Sequence, residues 1–157
     1  MHKILDPHFA ERVRASFSRQ QAMTLIGARM AVVEPGYVEI HLPHRPDLTQ
    51  QHGYIHGGVV GMIADTAAGY AASTLTAHET GVLTVEYKLN LLAPAEGQLL
   101  TAEGTVVRYG RTLIVTRADV YAVNHGKKTA CGLLQQTIIA VHGKKEVAPA
   151  NPAIKDD

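Results

Sequence analysis

Cysteine is nearly missing from this chain: Cys131 is the only one among 157 residues. That excludes an intrachain disulfide and any cysteine-based zinc cluster. Tryptophan is absent and phenylalanine occurs only twice, so leucine, methionine and tyrosine must form any apolar ligand pocket. No apolar run approaches the roughly 20 residues of a membrane span. The amino terminus lacks a signal-peptide core, and Asp6 and Glu11 argue against a transit peptide; a cytoplasmic protein is the expectation. An excess of either charge is lacking too. Fourteen acids face fifteen lysines and arginines, which favours neither nucleic acid nor a membrane as partner.

What is present fits one globular unit, large enough to bury about 70% of its unfolded surface. Between Gly104 and Lys128 the charge tips locally: Arg108, Arg111, Arg117, Lys127 and Lys128 face only Asp119. Such a bias suits a small phosphorylated ligand or ordinary solvated surface. Nine histidines raise the question of metal. His52 and His56 have helical spacing, but glycine follows each and no nearby acid completes a ligand set, so no metal is expected.

Asp6-Pro7 reads as a helix start, and Phe9, Val13 and Phe17 follow at i, i+4, i+8, giving a short amphipathic helix to about Gln20. From Leu25 to Leu42 two β-rich runs flank Glu34-Pro35-Gly36, a hairpin signal. Four strand-like runs come later, at about 81–92, 98–108, 111–123 and 129–141. In the first, Leu83, Val85, Tyr87, Leu89 and Leu91 alternate with polar residues, the pattern of a half-buried strand. Short links and no crossover helices predict antiparallel pairing. The expected division is an N-terminal helical segment 1–24, a central unit 25–142 and a frayed tail 143–157, rich in Lys, Pro, Asn and Asp.

The stretch His56–Ala72, HGGVVGMIADTAAGYAA, is small or apolar apart from Asp65, the only formally charged residue between Asp47 and Glu79. It has the composition of a helix buried nearly all round. An unpaired carboxylate there costs several kcal/mol or has its pKa forced upward, which marks an acid that is used. Gly57 and Gly58 stand where the helix begins. Unpaired N–H groups and the positive end of the dipole at that point would stabilise a carbonyl oxygen gaining negative charge. Asp65 lies nine residues after His56, about 13 Å of helical rise and half a turn out of phase. One chain therefore cannot bring both groups to the same bond. Two antiparallel copies of the helix can, which predicts a homodimer with two shared sites.

A long antiparallel sheet curled around one buried helix, with a short N-terminal helix, is the α+β hotdog architecture. The stretch Gln50-Gln51-His52-Gly53-Tyr54-Ile55-His56-Gly57-Gly58, followed by Asp65, resembles acyl-CoA thioesterases of the phenylacetate-degradation (PaaI-like) type. Thr84-Val85-Glu86-Tyr87-Lys88 with Ala93-Pro94, and Gly110-Arg111-Thr112 before a strand, extend the resemblance over roughly residues 45 to 141. It implies hydrolysis of an aryl- or medium-chain acyl-CoA to free acid and CoA, with no cofactor beyond the CoA of the substrate, in a homodimer or homotetramer. By that resemblance the Gly57 N–H polarises the thioester carbonyl and Asp65 of the partner subunit activates water or attacks directly. Gln50 matches a position where many relatives have Asn, His56 orients the helix start, and Thr84 matches a hydroxyl beside the attacking water. Gly58 belongs to the same turn. For CoA, Arg111 in the Gly110-Arg111-Thr112 turn and Arg108 are the expected phosphate contacts, and Arg45 a further candidate. Two rivals share the motif. One is a hotdog dehydratase or hydratase, the other a non-catalytic acyl-CoA-binding protein.

Overall fold

The computed structural model describes residues 4–143, so nearly all of the expected tail lies outside the described residues. Helices Phe9–Phe17 (α1) and Gln21–Ile26 (α2) lead into strands Arg29–Glu34 (β1) and Tyr37–Pro43 (β2). The central helix Gly57–Ser73 (α3) follows. Strands Thr80–Leu91 (β3), Leu99–Tyr109 (β4), Leu113–Asn124 (β5) and Lys127–His142 (β6) complete the order. They form one antiparallel six-stranded sheet in the order β1-β2-β4-β5-β6-β3, so β3 is an edge strand although it sits mid-sequence. This is the hotdog arrangement, a sheet wrapped around one long helix. No described helix is long and apolar enough to cross a membrane.

Alanine, the best helix former, recurs through α3 and keeps its surface slim. Val60, Ile63, Ala64, Ala67, Ala68 and Ala71 bury against inward residues such as Ile40, Leu42, Leu100, Val120 and Leu134. The approach is closest at β4, where a Cβ on Gly104 would lie 2.3 Å from the Ala67 backbone; only glycine fits there. The helix is not buried all round, however. Gly58, Met62, Asp65, Thr66 and Gly69 form an open or half-open stripe, because the sheet stops at the β3 edge.

Three expectations shift. Leu25 belongs to α2 and not to a strand, since Met23 and Ile26 use a helical turn to reach the core. The first helix ends at Phe17, and Asp6 accepts from His8 N–H one turn ahead of its start. Finally, β3 does not keep one alternation. A bulge at Val85 gives two residues on β3 against one on β6 and switches parity. Val82 and Thr84 face the helix before it, Tyr87, Leu89 and Leu91 after it, and Leu83 and Val85 are left exposed.

Candidate active site

The first half of the site is the start of α3. His56 is its N-cap, with Nδ1 accepting from Gly58 N–H at 2.9 Å. That bond satisfies one of the helix's unpaired donors and leaves Nε2 turned outward. Gly57 packs on β3: a Cβ there would lie 2.8 Å from Leu91 Cδ1. Gln50 sits in the preceding loop, where its side-chain carbonyl accepts from His52 N–H and its backbone bonds to Tyr54 and Gly53. Within one chain Gln50 is a loop-shaping residue.

The second half lies two turns further along α3. Thr84 Oγ donates to Asp65 Oδ1 at 2.7 Å, so the bulge at Val85 turns this hydroxyl onto the carboxylate. Beneath them is Gln136, 1% exposed on the inward face of β6. With its amide oriented to satisfy both neighbours, it donates to Asp65 Oδ1 at 2.9 Å and accepts from Gly69 N–H at 3.2 Å. Asp65 Oδ2 carries no hydrogen bond among the described residues. The carboxylate thus has one oxygen fixed by neutral donors and the other available.

Gln136 was missed by the motif reading, yet a signal existed. It interrupts the inward row Leu134, Ile138, Ala140 with an amide, and a buried amide is costly unless bonded.

Asp65 and Thr84 open into a groove of about 770 Å³ running between α3, α1 and the start of β3. Gly69, Tyr70 and Ser73 continue its wall. At the α1 side Ser16 and Tyr70 are hydrogen-bonded at 3.0 Å, and Phe17 meets the Tyr70 ring edge-on. Arg12 closes the helix C-terminus, donating to the Ser73 and Thr76 carbonyls and to Asp6 Oδ2 at 2.8 Å. This guanidinium holds the Asp6 carboxyl below the usual carboxylate range.

The expected CoA contacts stand apart from these groups. Gly110, Arg111 and Thr112 make the β4–β5 turn, closed by Gly110 N–H to Leu113 O, where a Cβ on Gly110 would strike Leu113 O at 2.5 Å. Ile114, just after the turn, is two strands over from Thr84, about 10 Å. Arg108 and Arg111 are exposed, and their side chains make no hydrogen bond or ion pair among the described residues. Arg45 is engaged, bonding Asp47 at 2.5 Å and the Leu25 carbonyl at 2.9 Å. Arg117 and Lys128 pair with Asp119 and Glu103, which removes two cations from the local basic excess. Cys131 is fully buried and desolvation raises its thiol pKa, so it is no nucleophile. Among the described residues no three His, Cys, Asp or Glu side chains gather as a metal site.

In one chain, then, the helix start and the carboxylate are separated by about 12 Å of helix, as the spacing from Gly57 to Asp65 requires. Between them β3 runs alongside, touching Gly57 through Leu91, Gly61 through Leu89, and Asp65 through Thr84.

The chain is similar to known proteins over this same region. The family profile described as the thioesterase superfamily matches residues 52–129. A crystal structure of a thioesterase family protein from Silicibacter pomeroyi is 44% identical, with a TM-score of 0.84, covering 86% of this chain and 99% of that one. The 1,4-dihydroxy-2-naphthoyl-CoA hydrolase of Listeria monocytogenes is 27% identical over 121 residues, 77% of this chain and 95% of its own. The E. coli PaaI protein from the phenylacetic acid degradation operon shares the fold at a TM-score of 0.77 and 19% identity, over 88% of this chain and 97% of that chain.

Proposed function

This chain belongs to the thioesterase superfamily and is a PaaI-like hotdog thioester hydrolase; from that premise we propose that it cleaves acyl-CoA thioesters at sites shared between two subunits. The observation that carries the reading is the Asp65 carboxylate, held at Oδ1 by Thr84 and Gln136 and open at Oδ2 on the floor of a groove. Hydrolysis needs a carboxylate so placed, either to take a proton from water as it attacks the carbonyl or to attack the carbonyl itself. In the first route water adds to the carbonyl, the C–S bond breaks and the free acid leaves with CoA as the thiol; in the second the C–S bond breaks as an acyl–Asp65 anhydride forms, and water then hydrolyses the anhydride to the free acid and restores the carboxylate. Gln136 and Thr84 act as positioning residues for Asp65.

The electrophilic half comes from the partner subunit in this reading. β3 offers a free edge twelve residues long, with Leu83, Val85, Tyr87 and Leu91 exposed, the kind of edge that proteins pair or protect. Antiparallel pairing of two β3 strands about a two-fold axis through Lys88, with the bulge at Val85 taking up one extra residue, sets Thr84 opposite Leu91 of the partner subunit. Since Leu91 packs on Gly57 and Thr84 bonds Asp65, that register brings the partner's helix start to the carboxylate. The Gly57 N–H, at the positive end of the dipole, then holds the developing oxyanion. His56 keeps that turn in shape through its Nδ1 bond. The exposed Arg108 and Arg111 are the proposed contacts for CoA phosphate. Aryl and medium-chain acyl groups both suit the groove's size, and the naphthoyl-CoA hydrolase among the relatives supports the broader class.

Thiol release measured across a panel of acyl-CoA esters tests the activity, and absence of release from every ester overturns it. Subunit sharing is tested by mixing Asp65→Asn with Gly57→Val. Each variant alone is inactive; heterodimers regain activity because one of their two sites contains neither substitution. A mixture as dead as its parents removes the shared site.

A further inference from the structure

We infer that Gly69 is a specificity-determining residue, whose missing side chain widens the acyl groove one helical turn beyond Asp65; the inference rests on the thioesterase reading above. Apart from proline, glycine is the least favourable residue in a helix interior. The other glycines that α3 meets along its length have local reasons. A Cβ on Gly57 would crowd Leu91 at 2.8 Å, one on Gly61 would crowd Leu89 at 3.2 Å, and Gly104 of β4 must yield to the Ala67 backbone. At Gly69 nothing crowds: an added Cβ meets only the Gln136 amide, at 4.0 Å, an ordinary contact. Neither packing nor backbone conformation asks for glycine here, since Gly69 is not among the positive-φ residues.

What a side chain at Gly69 would occupy is the groove itself, whose wall it forms with Asp65 and Tyr70. Residues four apart on a helix stand one above the other, about 6 Å apart, so Gly69 is the next position after the carboxylate on the open stripe. An acyl carbonyl seated at Asp65 directs its third to sixth carbons past this point. A straight alkyl chain passes with or without a methyl group at Gly69. A ring or a branch needs the width.

The test compares hexanoyl-CoA with phenylacetyl-CoA, two acyl groups of similar reach and different width, on the wild type, Gly69→Ala and Gly69→Leu. The expected result is that Gly69→Ala raises the melting temperature by about 2 °C, through helix propensity. It keeps kcat/KM on hexanoyl-CoA within about twofold and lowers it at least tenfold on phenylacetyl-CoA, with Gly69→Leu exaggerating the difference. Parallel losses on both esters overturn the inference, as does a wild type that takes hexanoyl-CoA and refuses phenylacetyl-CoA. Dissociation of Gly69→Ala in sedimentation reassigns the glycine to a subunit contact and overturns it too. A wild type that cleaves neither ester, nor any other acyl-CoA, instead removes the thioesterase reading on which the inference stands.

Discussion

Asp6 and Asp65 serve the same central helix under opposite conditions. Asp6 is buried, with Oδ1 bonded to His8 N–H and Oδ2 to the Arg12 guanidinium, which in turn caps the carbonyls at the end of α3. Its charge is neutralised and both oxygens are taken. Asp65 is half-buried and meets no cation among the described residues; a hydroxyl and an amide fix one oxygen, and the other faces the groove. A carboxylate with full partners is a fastener. One fixed at a single oxygen by neutral donors leaves the lone pairs of the other oxygen free, which chemistry requires. The contrast predicts that substitutions at Asp65 and its donors register in turnover, while those around Asp6 register in stability.

The largest effect is expected from Asp65→Asn. The amide is nearly isosteric and its oxygen accepts from Thr84 and Gln136 as before, so the fold holds, while kcat falls at least about a hundredfold. Steady-state kinetics beside a thermal melt checks this. Near wild-type turnover on every acyl-CoA makes Asp65 structural and erases the contrast.

Asp6→Asn is the reverse case. Losing the charge-assisted bond to Arg12 lowers stability by about 2 kcal/mol at neutral pH, read by denaturant unfolding, with kcat little changed. Because the Asp6 carboxyl is held below its ordinary value, its contribution is complete above about pH 4 and is lost as pH falls through the folded-state value. The variant's stability should therefore converge on the wild type's in acid. A constant gap at all pH values would mean that packing, not charge, is at stake.

Gln136→Leu sharpens the comparison from below. Leucine continues the apolar row of β6, so the fold tolerates it, but Asp65 loses a donor. We expect kcat to drop about tenfold with KM within twofold, the signature of a positioning residue. A change in KM alone would assign Gln136 to substrate binding. The smallest effect is expected at Arg111→Ala, in the β4–β5 turn and outside the hydrogen bonds of both carboxylates. It should raise KM for acyl-CoA a few-fold and leave the matching pantetheine thioester, which lacks the nucleotide, unaffected. Equal changes on both substrates remove Arg111 from the ligand site.

The order of the strands and the central helix, and the two halves of the proposed site, were legible in local sequence. Period-two runs, the Glu34-Pro35-Gly36 turn and the alanine-rich helix are short-range signals, set by backbone geometry and side-chain size. A lone acid in an apolar stretch, and glycines at a helix start, announce chemistry because their cost is local as well. Other features depended on what meets what. The Val85 bulge decides which face Thr84 takes, and a single inserted residue reverses parity without leaving a compositional mark. Gln136 lies 71 residues from Asp65, and only the placement of β6 next to β3 makes it a partner. Lys128 read as part of a local basic excess until the fold brought Glu103, 25 residues away, into reach. By itself the sequence determined the fold class and the residues whose local cost demanded a use. Tertiary structure alone decided how those residues are oriented and which of them are already paired, because hydrogen bonds and ion pairs form across distances in space that spacing along the chain does not encode.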